Sequence, residues 1–273
     1  AERHGARWAP DLGALAGVDA AVVAASTERH LALALPIIAA GLPLLVEKPV
    51  CPSLADTEAV VAASRAAGTV LQCGLLERFN PAVMVAMAMV EAPLLVRAER
   101  HSPYAPRIKT GVGWDLLVHD VDLVVRAFGG STPARVDVAV GQFHPDSAAG
   151  AEDVVEATLR FASGGIATVS ASRVGQRKVR TMVIQELGRM IEVDLLRRGV
   201  VAYRHTTIEG PEGFGGYRQL TEMEVPEIIG AEPLVGQLDH FVGLIEGRGD
   251  VDAERESILP SHRVVDEVLT AAR

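Results

Sequence analysis

Cysteine is scarce in this sequence, which has two, Cys51 and Cys73, among 273 residues. Two cysteines cannot build the disulfide framework of a small secreted protein, and their spacing matches no zinc pattern. We therefore expect two buried or idle thiols and no metal site. Aromatic residues make up only 4% of the chain, so aliphatic side chains must form most of the core.

Long apolar runs are also absent. No run reaches the roughly 20 residues that are needed to cross a bilayer, and Pro36, Gly41 and Pro43 interrupt the apolar segment 32–46. The printed N-terminus, Ala-Glu-Arg-His, lacks the apolar core of a secretory signal. A net charge of −9 argues against a nucleic-acid or anionic-membrane surface. These absences predict a cytoplasmic protein with neither nucleic acid nor membrane as partner.

A Gly-x-Gly-x-x-Gly loop is missing from the printed sequence. Residues 19–26 are apolar at every interior position, which predicts a central strand covered on both faces. Too few residues precede this strand to provide neighbours on both edges. We therefore expect roughly 40 further residues upstream, given the ~30-residue size of one βαβ unit. A chain truncated at this point is expected to bind a dinucleotide poorly and to be unstable or inactive.

Strand and helix patterns alternate over residues 1–76. Repeated βα units imply parallel strands with right-handed crossovers. This segment is therefore predicted to be part of a doubly wound, Rossmann-type parallel sheet that binds a dinucleotide. The predicted strands are 20–25, 44–46 and 69–73, and the predicted helices are 28–40 and the segment from Ser53 to Gly68.

From residue 77 to residue 273 the pattern is that of an α+β domain. Alternating polar and apolar residues predict a large, mostly antiparallel open sheet with one face covered. We expect this domain to bind substrate and to form a homodimer or homotetramer through the sheet, because the apolar surface exceeds what the few helices can cover. The predicted strands are 94–100, 135–141, 153–161, 166–173, 179–186, 190–194 and 200–204; the helices are 81–91, 114–128, 232–246 and 260–272; the loops are 102–113 and 205–217.

Charged residues follow one buried strand, in the triplet Glu47-Lys48-Pro49. The carboxyl end of such a strand is a usual place for a site in an open α/β sheet. Further along, Asp115, His119 and Asp122 are spaced at i, i+4 and i+7, which places them on one helical face. A solvated strand end and a polar helix surface are the alternatives to a site.

These side chains are suited to the oxidation of an alcohol. His119 can take the hydroxyl proton, because the unperturbed histidine pKa of ~6.5 lies near working pH, and the compact charge of Lys48 can stabilise the developing alkoxide. Asp115 can orient the imidazole and favour its protonated form. Asp120 lies about 100° round the helix from His119 and is expected to tolerate replacement by Asn.

The same motifs resemble the glucose–fructose oxidoreductase/inositol dehydrogenase (Gfo/Idh/MocA) family. Glu47-Lys48-Pro49, residues 77–82 and residues 114–123 occur in the family's order. Residues 76–81, 106–108 and 178–180 resemble its UDP-N-acetylglucosamine 3-dehydrogenase-like branch. The resemblance implies an NAD- or NADP-dependent dehydrogenase that acts on a ring hydroxyl of a sugar or sugar nucleotide.

The resemblance also implies roles for individual residues. Catalysis is implied for Lys48, Asp115 and His119, which would contact the substrate together with Asn80 and Arg107. Cofactor contacts are implied for Glu47 and Lys48 and for a further set, namely Ser26, Thr27, His30 and Arg78. Ser26 and Thr27 could equally be a plain helix cap, and a loop arginine such as Arg107 is often only solvated.

Two other functions remain open at this stage. The substrate could be a free polyol such as an inositol, which would not need a basic phosphate-binding loop. The chain could also be a non-catalytic relic that lost its cofactor domain.

Overall fold

The computed structural model describes residues 3, 5–209 and 217–272, and its first sheet is parallel. This sheet contains the strands β1 (Ala21–Val23), β2 (Leu44–Glu47) and β3 (Leu71–Gly74) in that spatial order. The connecting helices are α1 (His30–Ala39), preceded by a 3₁₀ turn at Thr27–Arg29, and α2 (Leu54–Ala67). Ser53 caps α2 by accepting from Asp56 N–H, and Gly68 ends it with φ 64°, as the sequence predicted.

The second sheet is larger and mostly antiparallel, in the spatial order β11-β10-β9-β8-β4-β7-β6-β5. Among the described strands of this second sheet, only β4 and β7 pair in parallel. The strands are β4 (Leu95–His101), β5 (Arg135–Gly141), β6 (Val154–Arg160), β7 (Ile166–Ser172), β8 (Val179–Gln185), β9 (Met190–Asp194), β10 (Gly199–Glu209) and β11 (Tyr217–Glu224). This α/β architecture, a small parallel sheet followed by a large open one, is the fold class that the sequence predicted.

Helices from both ends of the second segment join the two sheets. One face of the large sheet packs against α3 (Pro81–Met89), α4 (Val118–Ala127) and α7 (Leu259–Ala271). The last helices return to the small sheet, where α6 (Val251–Glu256) lies against β3 and α7 lies against α2. A further helix, α5 (Pro233–Ile245), packs on the 3₁₀ turn Leu76–Phe79. The two sheets therefore share one continuous core.

Four elements differ from the sequence-based expectation. The segment expected to be a central strand forms β1 at the edge of the described sheet, where Val22 is 54% exposed. The predicted loop 205–217 is wrong in its first part, because β10 continues to Glu209; residues 210–216 lie outside the described residues. The strand β11 and the short helix α6 were missed, since both are polar and carry little apolar periodicity.

The outer face of the large sheet is polar at its centre. Glu156 and Ser170 are paired across β6 and β7, and Glu99 lies beside Ser170 on β4. Ser170 Oγ donates to Glu156 Oε1 at 2.5 Å, and His101 Nε2 lies 2.7 Å from Ser170 Oγ. Toward β11 the same face also carries apolar side chains, among them Val183, Met190 and the 64% exposed Met223, and assembly through the sheet stays a prediction.

Candidate active site

The position of Lys48 is set by the burial of β2. Leu44, Leu45 and Val46 are almost completely buried, and β2 pairs in parallel with β1 on one side and β3 on the other. A strand that is buried on both faces crosses the core and ends at the carboxyl edge of the sheet. Glu47 and Lys48 follow at that edge and are half-buried. The Lys48–Pro49 peptide bond is cis.

The helix that carries His119 begins with a π-helical turn over Gly113–Leu117. Gly113 is packed tightly, since a Cβ at this position would lie 2.8 Å from Leu269, and its N–H donates to Glu152 Oε1 at 2.7 Å. Such wide turns leave carbonyl groups free of the regular helical ladder and are frequent at functional sites. Here the turn presents both the carbonyl and the side chain of Asp115.

Lys48 and Asp115 meet at this turn. Lys48 Nζ lies 3.1 Å from Asp115 Oδ1 and also donates to the Asp115 carbonyl oxygen. The two side chains are 19% and 21% exposed, so the pair is largely shielded from water while one side remains accessible. This contact brings the carboxyl edge of the small sheet against the helix that carries His119.

His119 lies one turn after Asp115 and is half-buried. Its Nδ1 is buried and has no hydrogen-bond partner among the residues that the structure describes. Burial, followed by the charges of Lys48, Arg100 and Arg180, holds the pKa of His119 well below its usual value. The expected pairing of Asp115 with the imidazole is therefore wrong: Asp115 is bonded to Lys48, and His119 is a neutral imidazole that can accept a proton.

Beneath this site lies a buried ionic network that the sequence did not reveal. Arg100 binds Asp120 through both Nε (2.7 Å) and a terminal nitrogen (3.0 Å), and its other terminal nitrogen lies 3.0 Å from Glu77 Oε1. Burial opposes the charge on Arg100, but Asp120 and Glu77 outweigh it and raise its pKa. The expectation that Asp120 would tolerate Asn is not supported, because Asp120 is buried against Arg100 on the side of α4 that faces β4.

Arg180 was also missed as a site residue, although residues 178–180 contributed to the resemblance to the family. It lies on the covered face of β8, opposite Arg100, with its side chain 36% exposed. Its terminal nitrogen is 3.5 Å from Glu77 Oε1. The alternation of buried residues along β8, with Met182 and Ile184 on the same face, is the signal that would have found it.

Two residues that were predicted to bind ligands are engaged inside the protein. Arg78 binds Asp122 with two hydrogen bonds of 2.8 and 2.6 Å and donates to the Ser257 hydroxyl at 2.6 Å. Asn80 caps α3 and donates to Glu77 Oε2 and to the Leu195 carbonyl, both at 3.1 Å. The geometry favours structural roles for both, and Asp122 is turned toward Arg78 although it was predicted to share a face with His119.

The residues expected around a cofactor lie along the carboxyl edge of the small sheet. Ser26 and Thr27 follow β1; Ser26 is exposed and its side chain makes no capping hydrogen bond. His30 is buried, with Nε2 3.1 Å from the Ala25 carbonyl and Nδ1 3.0 Å from the Pro49 carbonyl. It therefore ties the ends of β1 and β2 together, a role that its sequence position does not reveal.

Glu47 packs directly over Gly74 at the end of β3. A Cβ at Gly74 would lie 2.7 Å from Glu47 Oε2 and 3.0 Å from Glu47 Cα, so only glycine leaves room for the Glu47 side chain in this position. The Glu47 carboxylate is next to Lys48, whose N–H is 3.4 Å from Glu47 Oε2. A carboxylate and an ammonium thus lie together at the carboxyl edge of the small sheet, and these polar groups fit the carboxamide of a nicotinamide.

The remaining predictions concern peripheral features. Arg107 is exposed in the loop that follows β4, with no ion pair among the described residues. Cys51 and Cys73 are buried and free, as expected, and burial raises the pKa of Cys51 to about 12. No helix in the described part of the chain is both long and apolar enough to span a membrane.

Comparisons with known proteins agree with this architecture. Residues 1–75 match the NAD-binding Rossmann fold of the GFO/IDH/MocA oxidoreductases, and residues 87–191 match the GFO/IDH/MocA C-terminal domain. The chain is 30% identical to UDP-N-acetylglucosamine 3-dehydrogenase from Acidithiobacillus ferrooxidans over 234 residues, which are 85% of this chain and 71% of the relative. It therefore belongs to the GFO/IDH/MocA family of oxidoreductases.

Individual structures and relatives extend the comparison. The solved structure of the Acidithiobacillus ferrooxidans enzyme superposes with a TM-score of 0.81 and 27% identity, covering 98% of this chain and 84% of that one. An inositol 2-dehydrogenase from Acidothermus cellulolyticus is 35% identical over 130 residues, which are 44% of this chain and 38% of that relative. The similarity to the sugar-nucleotide enzyme thus extends over a larger part of the chain.

Proposed function

We propose that this protein is a nicotinamide-dependent dehydrogenase that oxidises a ring hydroxyl of a sugar nucleotide, with a UDP-linked N-acetylhexosamine as the leading candidate. The observation that carries the proposal is the Lys48–Asp115 pair. It places an ammonium group beside the helix that presents the neutral imidazole of His119. An alcohol that loses its proton requires a base to accept the proton and a cation to stabilise the alkoxide, and this half-buried site contains both.

Each residue has a separate role in this proposal. His119 takes the hydroxyl proton, since its lowered pKa keeps it neutral. Lys48 donates to the substrate oxygen and stabilises the negative charge that develops there. Asp115 holds the Lys48 ammonium in place through its carboxylate and its carbonyl oxygen. The bound nicotinamide supplies the hydride acceptor.

The carboxyl edge of the small sheet is the proposed cofactor site. Glu47 and Lys48 would lie beside the nicotinamide, with Glu47 held in its position over Gly74. Ser26 and Thr27 would contact the cofactor further along the edge, where both follow β1. His30 would act indirectly, since its ring nitrogens face backbone carbonyls. The choice between NAD and NADP is left to experiment.

Positive charge near the site favours a substrate with anionic groups. Arg180 is partly exposed beside His119, and Arg107 is exposed in the loop after β4. An arginine fork matches the oxygens of a phosphate. The relative that is similar over 85% of this chain is a UDP-N-acetylglucosamine 3-dehydrogenase by name, which points to the same class.

A free polyol such as an inositol is the second candidate, supported by the similarity to inositol 2-dehydrogenases. The deciding experiment measures reduction of NAD⁺ and of NADP⁺ at 340 nm with UDP-N-acetylglucosamine, UDP-glucose, N-acetylglucosamine and myo-inositol. Turnover of a UDP-sugar at low concentration, with weak activity on the free sugar and on inositol, supports the proposal. Preference for myo-inositol would replace it with the second candidate, and no turnover of any substrate by a folded protein that binds NADH would favour a non-catalytic protein.

A further inference from the structure

The backbone that follows Lys48 is held by two buried histidines. Val50 N–H donates to His262 Nε2 at 3.2 Å, and His30 Nδ1 lies 3.0 Å from the Pro49 carbonyl and 3.2 Å from the Val50 carbonyl. Val50 is completely buried, so water cannot serve these groups. His262 therefore accepts from the Val50 N–H of the turn that leaves β2, and His30 can donate to the Pro49 and Val50 carbonyls when its Nδ1 carries the proton.

The hydrogen bond to His262 has a special position along the chain. Pro49 has no N–H, so the first backbone donor after Lys48 N–H is that of Val50. Lys48 N–H itself makes only a long contact of 3.4 Å with Glu47. The backbone that follows Lys48 is therefore held by the side chain of His262, which lies on the last helix, 212 residues after Val50.

The surroundings of His262 define its protonation. Its Nδ1 lies 2.8 Å from the Ile258 carbonyl and must donate to it, which leaves Nε2 as the acceptor for Val50 N–H. This pattern requires the neutral ring. Burial lowers the pKa of His262 to about 4, with Ile258 and the carboxylate of Asp122 acting against burial and the guanidinium of Arg78 acting with it.

We propose that His262 is a positioning residue for Lys48. By accepting Val50 N–H it fixes the turn from which Lys48 projects, and it thereby keeps the ammonium against Asp115 and close to His119. The inference rests on the proposed function of Lys48. It assigns to the last helix a part in the reaction that involves no contact with substrate or cofactor.

The test compares His262→Met, which removes both hydrogen bonds at similar volume, with His262→Gln, whose amide oxygen can still accept Val50 N–H. Val268→Ala is the matched control, because Val268 is equally buried on the same helix, about 9 Å further along. In the full chain, His262→Met should lower kcat by about tenfold to a hundredfold. KM for the cofactor should change little, and His262→Gln should recover most of the loss.

The control separates positioning from general destabilisation. Val268→Ala should lower the melting temperature about as much as His262→Met does, but it should keep near-normal kcat. If Val268→Ala lowers kcat as much as His262→Met, or if His262→Met keeps normal kcat in an active enzyme, His262 does not position Lys48.

A second readout does not depend on turnover. The chain has three lysines, and Lys109 and Lys178 are both exposed, so trace acetylation followed by mass spectrometry provides internal references for Lys48. His262→Met should speed acetylation of Lys48 severalfold and leave Lys109 and Lys178 unchanged. An unchanged Lys48 rate would overturn the inference even if the wild-type protein proved inactive, an outcome that would contradict only the proposed function.

Discussion

Lys48 Nζ and Asp115 Oδ1 are 3.1 Å apart although the two residues are 67 positions apart in the chain. Lys48 comes from the end of a buried strand in the small sheet, and Asp115 comes from a π-helical turn that packs on the large one. The candidate reaction centre therefore exists only where the two sheets are held together.

The charge of Lys48 should matter for turnover more than for binding. Lys48→Met should lower kcat by on the order of 10²–10³, the range seen when one stabilising donor is removed. The dissociation constant for the cofactor, measured by fluorescence titration, should change by less than about threefold, because the charge acts once the oxygen becomes negative. Lys178→Met is the control, since Lys178 is exposed. Equal losses in the two variants would contradict the role of Lys48.

His119 should act as a base that is neutral in mildly acidic solution. His119→Gln should cost on the order of 10²–10⁴ in kcat. Because the pKa of His119 is lowered, the acid limb of kcat/KM in the wild type should lie below the ordinary histidine value of ~6.5. Arg180→Gln removes a positive neighbour and should move that limb to higher pH. A limb that stays fixed in Arg180→Gln and lies above the ordinary value would exclude this assignment.

Asp120 should be essential for stability. Asp120→Asn leaves the buried Arg100 with Glu77 alone, a carboxylate that it shares with Arg180, and should destabilise the fold by about 3–5 kcal/mol, the usual effect of breaking a buried pair. Urea unfolding monitored by circular dichroism measures the effect. Asp137→Asn, which breaks an exposed pair with Arg135, is the matched control and should leave the urea midpoint unchanged. A normal midpoint for Asp120→Asn would show that Arg100 finds another partner.

Gly74 should be required for the cofactor site. Gly74→Ala places a methyl group 2.7 Å from Glu47 Oε2, so Glu47 must move from its position beside Lys48. We expect weaker cofactor binding and a lower kcat with little loss of melting temperature. Gly188→Ala is the control, because a Cβ there meets nothing within 4 Å. Normal kinetics in Gly74→Ala would mean that the position of Glu47 over Gly74 does not matter for the cofactor.

Stability should fall as the solution becomes acidic. The folded-state pKa of His262 is about 4, and its unfolded value is about 6.5. Between these values the unfolded chain binds more protons, so the free energy of unfolding decreases as pH falls from about 6.5 to about 4. The shift corresponds to on the order of 3 kcal/mol. His262→Gln should flatten the dependence of the urea midpoint on pH in this window, and an unchanged slope would contradict the buried neutral ring.

The sequence predicted most of the architecture because local signals were strong. The apolar run before Glu47, the Ser53 cap and the Gly68 stop identified β2 and α2, and the strand boundaries of β5 and β9 were predicted correctly. It failed where periodicity was weak. The polar strand β11 is held by backbone pairing with β10. Because this pairing does not depend on apolar side chains, the sequence of β11 shows no apolar alternation that would predict a strand.

For the candidate site, the sequence by itself determined which chemistry is available. The triplet Glu47-Lys48-Pro49 and the spacing of Asp115 and His119 already named an ammonium, a carboxylate and an imidazole, and strand and helix geometry fixed where each must lie on its own element. Local rules suffice for this, because they depend on the pattern of residues that are near one another in the chain.

Only the tertiary structure decided which of these groups meet. Asp115 is paired with Lys48 and not with His119, Asp120 is buried against Arg100, and His262 reaches the turn after Lys48 from the end of the chain. The pKa of His119 likewise depends on burial and on the three cations around it. Partners between distant segments are set by how two sheets and their covering helices pack, and no local pattern in the sequence encodes that arrangement.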